Sequence, residues 1–140
     1  RRVLFRSTLP VTIESLENNI GVSSSTASFV ASLGSTVGMN GCGGVFPAIV
    51  AIFVANVFGI ELTLTHYILM ILTIVVGSVG IAGVPGAATM STTLILTTLG
   101  LPIEGMAIIL GVDAIIDMAR TLTNVTGAGL AAYIVDKECK

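Results

Sequence analysis

The sequence has no tryptophan, one histidine, two cysteines and few charges: six Lys or Arg and eight Asp or Glu in 140 residues. A soluble domain carries about 25% charged residues because its surface faces water. Here the share is 10%, too low to clothe such a surface. With only Cys42 and Cys139, a disulfide framework is excluded. A net charge of −2 without a basic patch argues against a nucleic-acid partner. No metal-ligand spacing of His, Cys and Asp, no nucleophile elbow and no phosphate loop is present, so neither an enzyme nor a bound cofactor is expected. What is plentiful is apolar: 54% hydrophobic residues and 16 Gly, with a mean hydropathy of +1.01. Disorder is thereby excluded. The composition implies an all-α membrane protein, with a core fragment buried in a large complex as the competing reading.

Between Asn18 and Ile103 the only formal charge is Glu61. There is no initiator Met and no signal peptide, so the chain reads as part of something longer. Residues 1–6, Arg1-Arg2-Val3-Leu4-Phe5-Arg6, match neither a lipid pattern nor the segment beginning at Ser7, and are read as a leader foreign to the rest.

A helix needs about 20 apolar residues to cross the hydrocarbon core. The segment 24–58 is apolar but cut by Gly38-Met39-Asn40-Gly41-Cys42-Gly43-Gly44, a run of poor helix propensity. It reads as two half-helices, about 25–37 and 44–58, joined by unwound backbone; a single flexible helix packed through small residues is the alternative. In 65–100, an arm from His66 to Val76 meets the breaker Val84-Pro85-Gly86, and a second run, Ala87 to Leu99, leads out. Two short arms around a Gly/Pro tip suggest a re-entrant hairpin, whose bare backbone is tolerated only inside protein or against a wet cavity. A loop outside the membrane explains the tip too, but not its lack of charge. Two interrupted elements point to a transporter site at mid-membrane.

The segment 103–127 is expected to be a last spanning helix, with 128–140 a polar tail. Asp113, Asp117, Arg120, Thr121 and Asn124 recur at i, i+4, i+7, i+8 and i+11, one face of a helix. Ionisable groups in a spanning helix cost roughly 2.5–3.5 kcal/mol each and mark a pathway. Asp117 and Arg120, three apart, can pair and simply glue helices together. The extra acid, hydroxyl and amide exceed what one pair needs, which favours a ligand site suited to an amino acid. His66 reads as interfacial, Glu61 and Glu104 as loop or helix-start charges.

These residues resemble a known family, the dicarboxylate/amino acid:cation symporters that include the glutamate transporters. Asp113-Ala114-Ile115-Ile116-Asp117-Met118-Ala119-Arg120-Thr121 with Asn124-Val125-Thr126-Gly127 is similar to the family's final-helix signature. Ala82-Gly83-Val84-Pro85-Gly86 resembles the tip of its second hairpin, and Leu33-Gly34-Ser35-Thr36 with Met39-Asn40-Gly41 its broken seventh helix. Ser7-Thr8-Leu9-Pro10, at the start of 7–20, resembles the end of the first hairpin. The resemblance implies a transport-domain fragment of a multi-pass plasma-membrane homotrimer in contact with lipid. By the same resemblance, Asp117 takes a substrate amino group, Arg120 a distal carboxylate, and Asn124, Thr121 and Cys42 the remaining polar groups. Backbone at Val84 and Ala88 closes over the ligand. A sodium ion is placed among carbonyls of Thr36, Ser78, Val79 and Ile81, near the Met39 sulfur, while Asp113 and Asn40 complete the polar stripe. Glutamate-type members carry Asn-Met-Asp-Gly-Thr where this chain has Gly38-Met39-Asn40-Gly41-Cys42, and an Asp where it has Ala128. Asn40-Gly41-Cys42 with Gly44 and Pro47 is closer to the bacterial cystine-uptake branch. The resemblance thus implies a symporter coupling Na+ or H+ to uptake of an amino acid, L-cystine foremost, with aspartate, glutamate or a C4-dicarboxylate as the alternative. A channel or structural membrane subunit is the more distant reading.

Overall fold

The computed structural model describes residues 5–37, 39–80 and 86–139, and these form helices joined by short links, with no strand among them. Helix α1 (Phe5–Ser15) runs into a π-helical turn, Leu16–Ile20, closed by Gly21 at φ 78°. Helix α2 (Ser24–Gly34) follows, then a link, then a second π-helical turn, Asn40–Val45, continuous with α3 (Phe46–Val57). Helix α4 spans Leu64–Gly80 and α5 Ala87–Thr98. A 3-10 turn (Ile103–Gly105) leads to the short α6 (Met106–Leu110) and to the long α7, Asp113–Glu138.

Several limits differ from those the sequence suggested, each for a local reason. The arm expected to stop at Val76 continues to Gly80. There the Ser78 hydroxyl donates to the Val75 carbonyl, and the last turn packs toward Leu94 of α5. The second half-helix begins at Asn40 rather than 44, because the glycines are wound into a π-turn instead of being unwound. Such turns recur at functional sites. The last element is not one helix from 103: it breaks at Gly111 and restarts at Asp113. The expected polar tail is helical as far as Glu138, since Ala128, Ala132 and Asp136 extend the buried face of α7. The proposed leader and the tip 81–85 lie wholly or largely outside the described residues.

The main core gathers α3, the second π-turn and α5, with Val50, Val54, Ile95 and Leu96 at its centre. A second cluster joins the first π-turn, α2 and α7 through Leu16, Ala27, Ala31 and Ala132, with Leu9 and Ile13 of α1 packed against it. Helix α7 lies against α2 and the second π-turn, and α5 lies between α3 and α4. Outward-facing side chains are strongly apolar: Leu64 is 75% exposed, Val76 76% and Ile115 73%. Contiguous apolar surface of this kind meets lipid or other protein. One continuous helical stretch among the described residues, Asn40–Val57, is long and apolar enough to cross a membrane. Helix α4, with 17 residues, is shorter.

His66 has a local role. Its Nδ1 accepts the Thr63 N–H at 3.1 Å and faces the Thr63 hydroxyl at 2.8 Å, so it closes the N-terminus of α4 in the manner of a capping box.

Gly105 abuts α3 closely: a Cβ there would lie 2.6 Å from Val54 Cγ2 and 2.9 Å from Val54 Cγ1. Gly105→Ala is expected to destabilise the protein by about 1–3 kcal/mol through overpacking. Adding Val54→Ala should recover part of that loss, as read by thermal unfolding of the detergent-solubilised protein.

Candidate functional site

The polar stripe of α7 faces inward. Asp113, Arg120 and Asn124 are buried, Asp117 and Thr121 half-buried. Arg120 Nη2 donates to Asp113 Oδ1 at 2.8 Å and to Asp117 Oδ1 at 2.9 Å. The Arg120 side chain is only 6% exposed. Its guanidinium carbon lies 4.2 Å from the centroid of the Phe46 ring, a cation–π contact that covers one face of the group. Its remaining donors, Nε and Nη1, are buried without an acceptor. A buried cation normally has its hydrogen bonds filled, so two orphaned donors on one guanidinium leave it with capacity for a further partner.

One turn further along, Asn124 holds the interrupted element against α7. Its Oδ1 accepts the Gly41 N–H at 2.8 Å. Its amide nitrogen donates to Met39 Sδ at 3.4 Å and to Cys42 Sγ at 3.2 Å. A primary amide has one such nitrogen with two hydrogens, so both of its donors are committed. The π-turn comes this close because position 41 lacks a side chain: a Cβ on Gly41 would stand 2.6 Å from the Arg120 carbonyl oxygen. Gly127 is needed in the same way, since a Cβ there would collide with the amide of Asn40. Ala88, buried in the first turn of α5, belongs to the same cluster as Met39, Cys42 and Phe46. A void of about 10 Å³, the size of one water, reaches Asp113 between Phe46, Thr89, Thr92 and Ile109.

The residues expected to hold a cation are spread wider. Met39 is buried in the cluster, whereas Thr36 lies in the exposed turn after α2 and uses its hydroxyl on the Ser32 carbonyl. Ser78 and Val79 end α4, with Val79 62% exposed. Ile81 and Val84 lie outside the described residues. Asn40 is exposed beside Gly127.

A family model described as the sodium:dicarboxylate symporter family matches residues 6–138. The chain belongs to the sodium:dicarboxylate symporter family. Among curated members of that family, it is 42% identical over 132 residues to an uncharacterised symporter of Haemophilus influenzae, covering 94% of this chain and 30% of that protein. It is 39% identical over 130 residues to the L-cystine uptake protein TcyP of Bacillus thuringiensis, covering 92% and 28%. To the proton/sodium-glutamate symport protein of Bacillus subtilis it is 43% identical over 129 residues, covering 92% and 30%. The chain therefore spans under a third of the length of these relatives. Sodium:dicarboxylate symporters are membrane transporters rather than enzymes, which accords with the apolar exterior.

Two contributors were missed in the sequence. Phe46 follows Cys42 by four residues, one helical turn, and could have been found had the glycine run been read as wound. Asp136 looked like part of a charge-balanced tail. Yet it stands four residues after Ala132 and eight after Ala128, on the stripe's own face, and its Oδ1 accepts the Ser23 N–H at the start of α2 at 3.0 Å.

Asn124→Ala strands the buried Gly41 N–H, which should cost about 1–3 kcal/mol of stability. Asn124→Asp keeps the acceptor oxygen but buries an unpaired acid beside a cluster that already holds two acids to one base, so it should lose at least as much, and comparative melting of the two variants checks the order.

Proposed function

We propose that this chain is the ligand-holding part of a secondary amino-acid symporter that couples entry of Na+ or H+ to uptake of L-cystine. The observation that carries the reading is the buried Arg120 guanidinium, with two donors unfilled, beside the half-buried carboxylate of Asp117. Such a pair suits a small molecule bearing both signs of charge: Arg120 for a carboxylate, Asp117 for an ammonium, Thr121 and Asn124 beside them. The sulfur atoms of Met39 and Cys42, both on the Asn124 amide, make a polarisable and weakly hydrated wall that suits a disulfide. The 39% identity to L-cystine uptake proteins supports the same substrate.

In this reading α4 and α5 are the arms of a re-entrant hairpin. A helix of 17 residues is roughly 25 Å long, short of a hydrocarbon core of about 30 Å, and Ala88, in the first turn of the second arm, faces the ligand cluster. The coupling cation is cargo, and the carbonyls of Thr36, Ser78 and Val79 with the Met39 sulfur are its candidate ligands among the described residues. Asn40 and Ala128 bring no carboxylate to it, so fewer cations are coupled than in a site with acids at both positions. Transport of aspartate, glutamate or a C4-dicarboxylate is the second reading, favoured by the 43% identity to a glutamate symport protein.

Uptake of labelled cystine by the full-length protein should be saturable and concentrative, and Arg120→Ala should abolish it. Unchanged uptake in that variant would remove Arg120 from the site, and linear flux would favour a channel.

A further inference from the structure

We propose that the Arg120–Asp117 ion pair is a partner-exchange latch, which opens only to a ligand bearing both an ammonium and a carboxylate. This rests on the reading of the Arg120 cluster as a ligand site, and adds the rule by which that site sorts ligands. A guanidinium can seat a carboxylate by two parallel bonds along either of two edges, Nε with Nη2 or Nη1 with Nη2. Nη2 belongs to both edges. Here both carboxylates bond to that one nitrogen, Asp113 at 2.8 Å and Asp117 at 2.9 Å. Its two hydrogens are therefore committed, and the orphaned Nε and Nη1 are the outer halves of two edges that are each half blocked. No incoming carboxylate gains a two-point seat until one aspartate lets go.

Asp117 is the one that exchanges. Its side chain is 15% exposed against 10% for Asp113, and Asp113 stands at the first residue of α7 in the more enclosed position. A ligand ammonium draws Asp117 away by replacing both the hydrogen bond and the positive charge that it gives up. The ligand carboxylate then takes the vacated Nη2 hydrogen together with one of the orphaned donors. Charge is conserved within the cluster, because two acids and one base receive a ligand pair of opposite signs. A dicarboxylate without an ammonium leaves Asp117 unpaired and adds further negative charge to a buried group already net negative, which is strongly unfavourable.

The test is binding to the full-length protein by calorimetry, using cystine, dithiodipropionate (cystine without its ammonium groups) and cystamine (cystine without its carboxylates). In the wild type the latch predicts that dithiodipropionate, which cannot replace Asp117, binds at least about a hundredfold more weakly than cystine, because it loses the ammonium contact and the two-point seat together. Comparable binding of the two would overturn it, and this comparison needs no mutant to fold. In Asp117→Asn, which weakens the latch by removing its charge, dithiodipropionate should bind about tenfold more tightly and cystine at least tenfold less. Unchanged or weaker dithiodipropionate binding, in a variant that melts like the wild type, would overturn the latch. Should the wild type bind aspartate but not cystine, the substrate reading fails alone, and the same comparison is made between aspartate and succinate. If it binds none of these ligands, both fall.

Discussion

Keeping a guanidinium inside a bundle of apolar helices requires counter-charges at contact distance, because an unpaired buried ion costs several kcal/mol. Arg120 obtains them from its own helix, with Asp113 two turns before it and Asp117 one turn before it. All three lie on one face only because α7 restarts at Asp113 and then runs without a break. Much else in the structure follows from housing that group. The face of the guanidinium needs a cover, which Phe46 supplies. Phe46 can reach it only if the glycine-rich turn presses against α7, and that approach is secured by the absence of a side chain at Gly41 and by the amide of Asn124.

Helical class, the interruption near Asn40 and the inward stripe of α7 were all legible in the sequence, since each depends on spacing and on where charge is absent. Finer features were not. Glycines signalled a break, but their ability to form a π-turn depends on the neighbour that grips them, and Asn124 lies 83 residues away from Gly41. The extent of α7 was underestimated because the four charges near the end looked solvated; Asp136 is in fact buried. Its partner is the backbone of Ser23, a long-range bond that no local pattern announces. The candidate cation ligands were the least legible, because backbone carbonyls leave no mark in residue identity.

Ala128 shows how a departure from the glutamate-type pattern is absorbed. It is buried, and its Cβ would lie 2.8 Å from a Cβ placed on Gly34 of α2. Where that pattern puts a carboxylate, this chain has a contact between small residues that lets α2 and α7 approach closely. With the Asp136 bond at one end of α2 and the Ala128 contact at the other, α2 is fastened to α7 along its whole length. The π-turn is fastened to α7 by Asn124, so the two halves of the interrupted element share one spine.

The length of that spine sets depth. At 1.5 Å per residue, Asp113 and Asp136 are roughly 35 Å apart along α7, comparable to the hydrocarbon thickness of about 30 Å. The two buried acids therefore stand near opposite ends of the spine. Arg120 lies only about 10 Å along it from Asp113 and nearly 25 Å from Asp136. The guanidinium is thus carried near one end of α7, in the first two turns after the helix restarts. Whatever reaches it meets the Asp113 end of the spine first, while the rest of α7 serves to hold α2 and the π-turn in place.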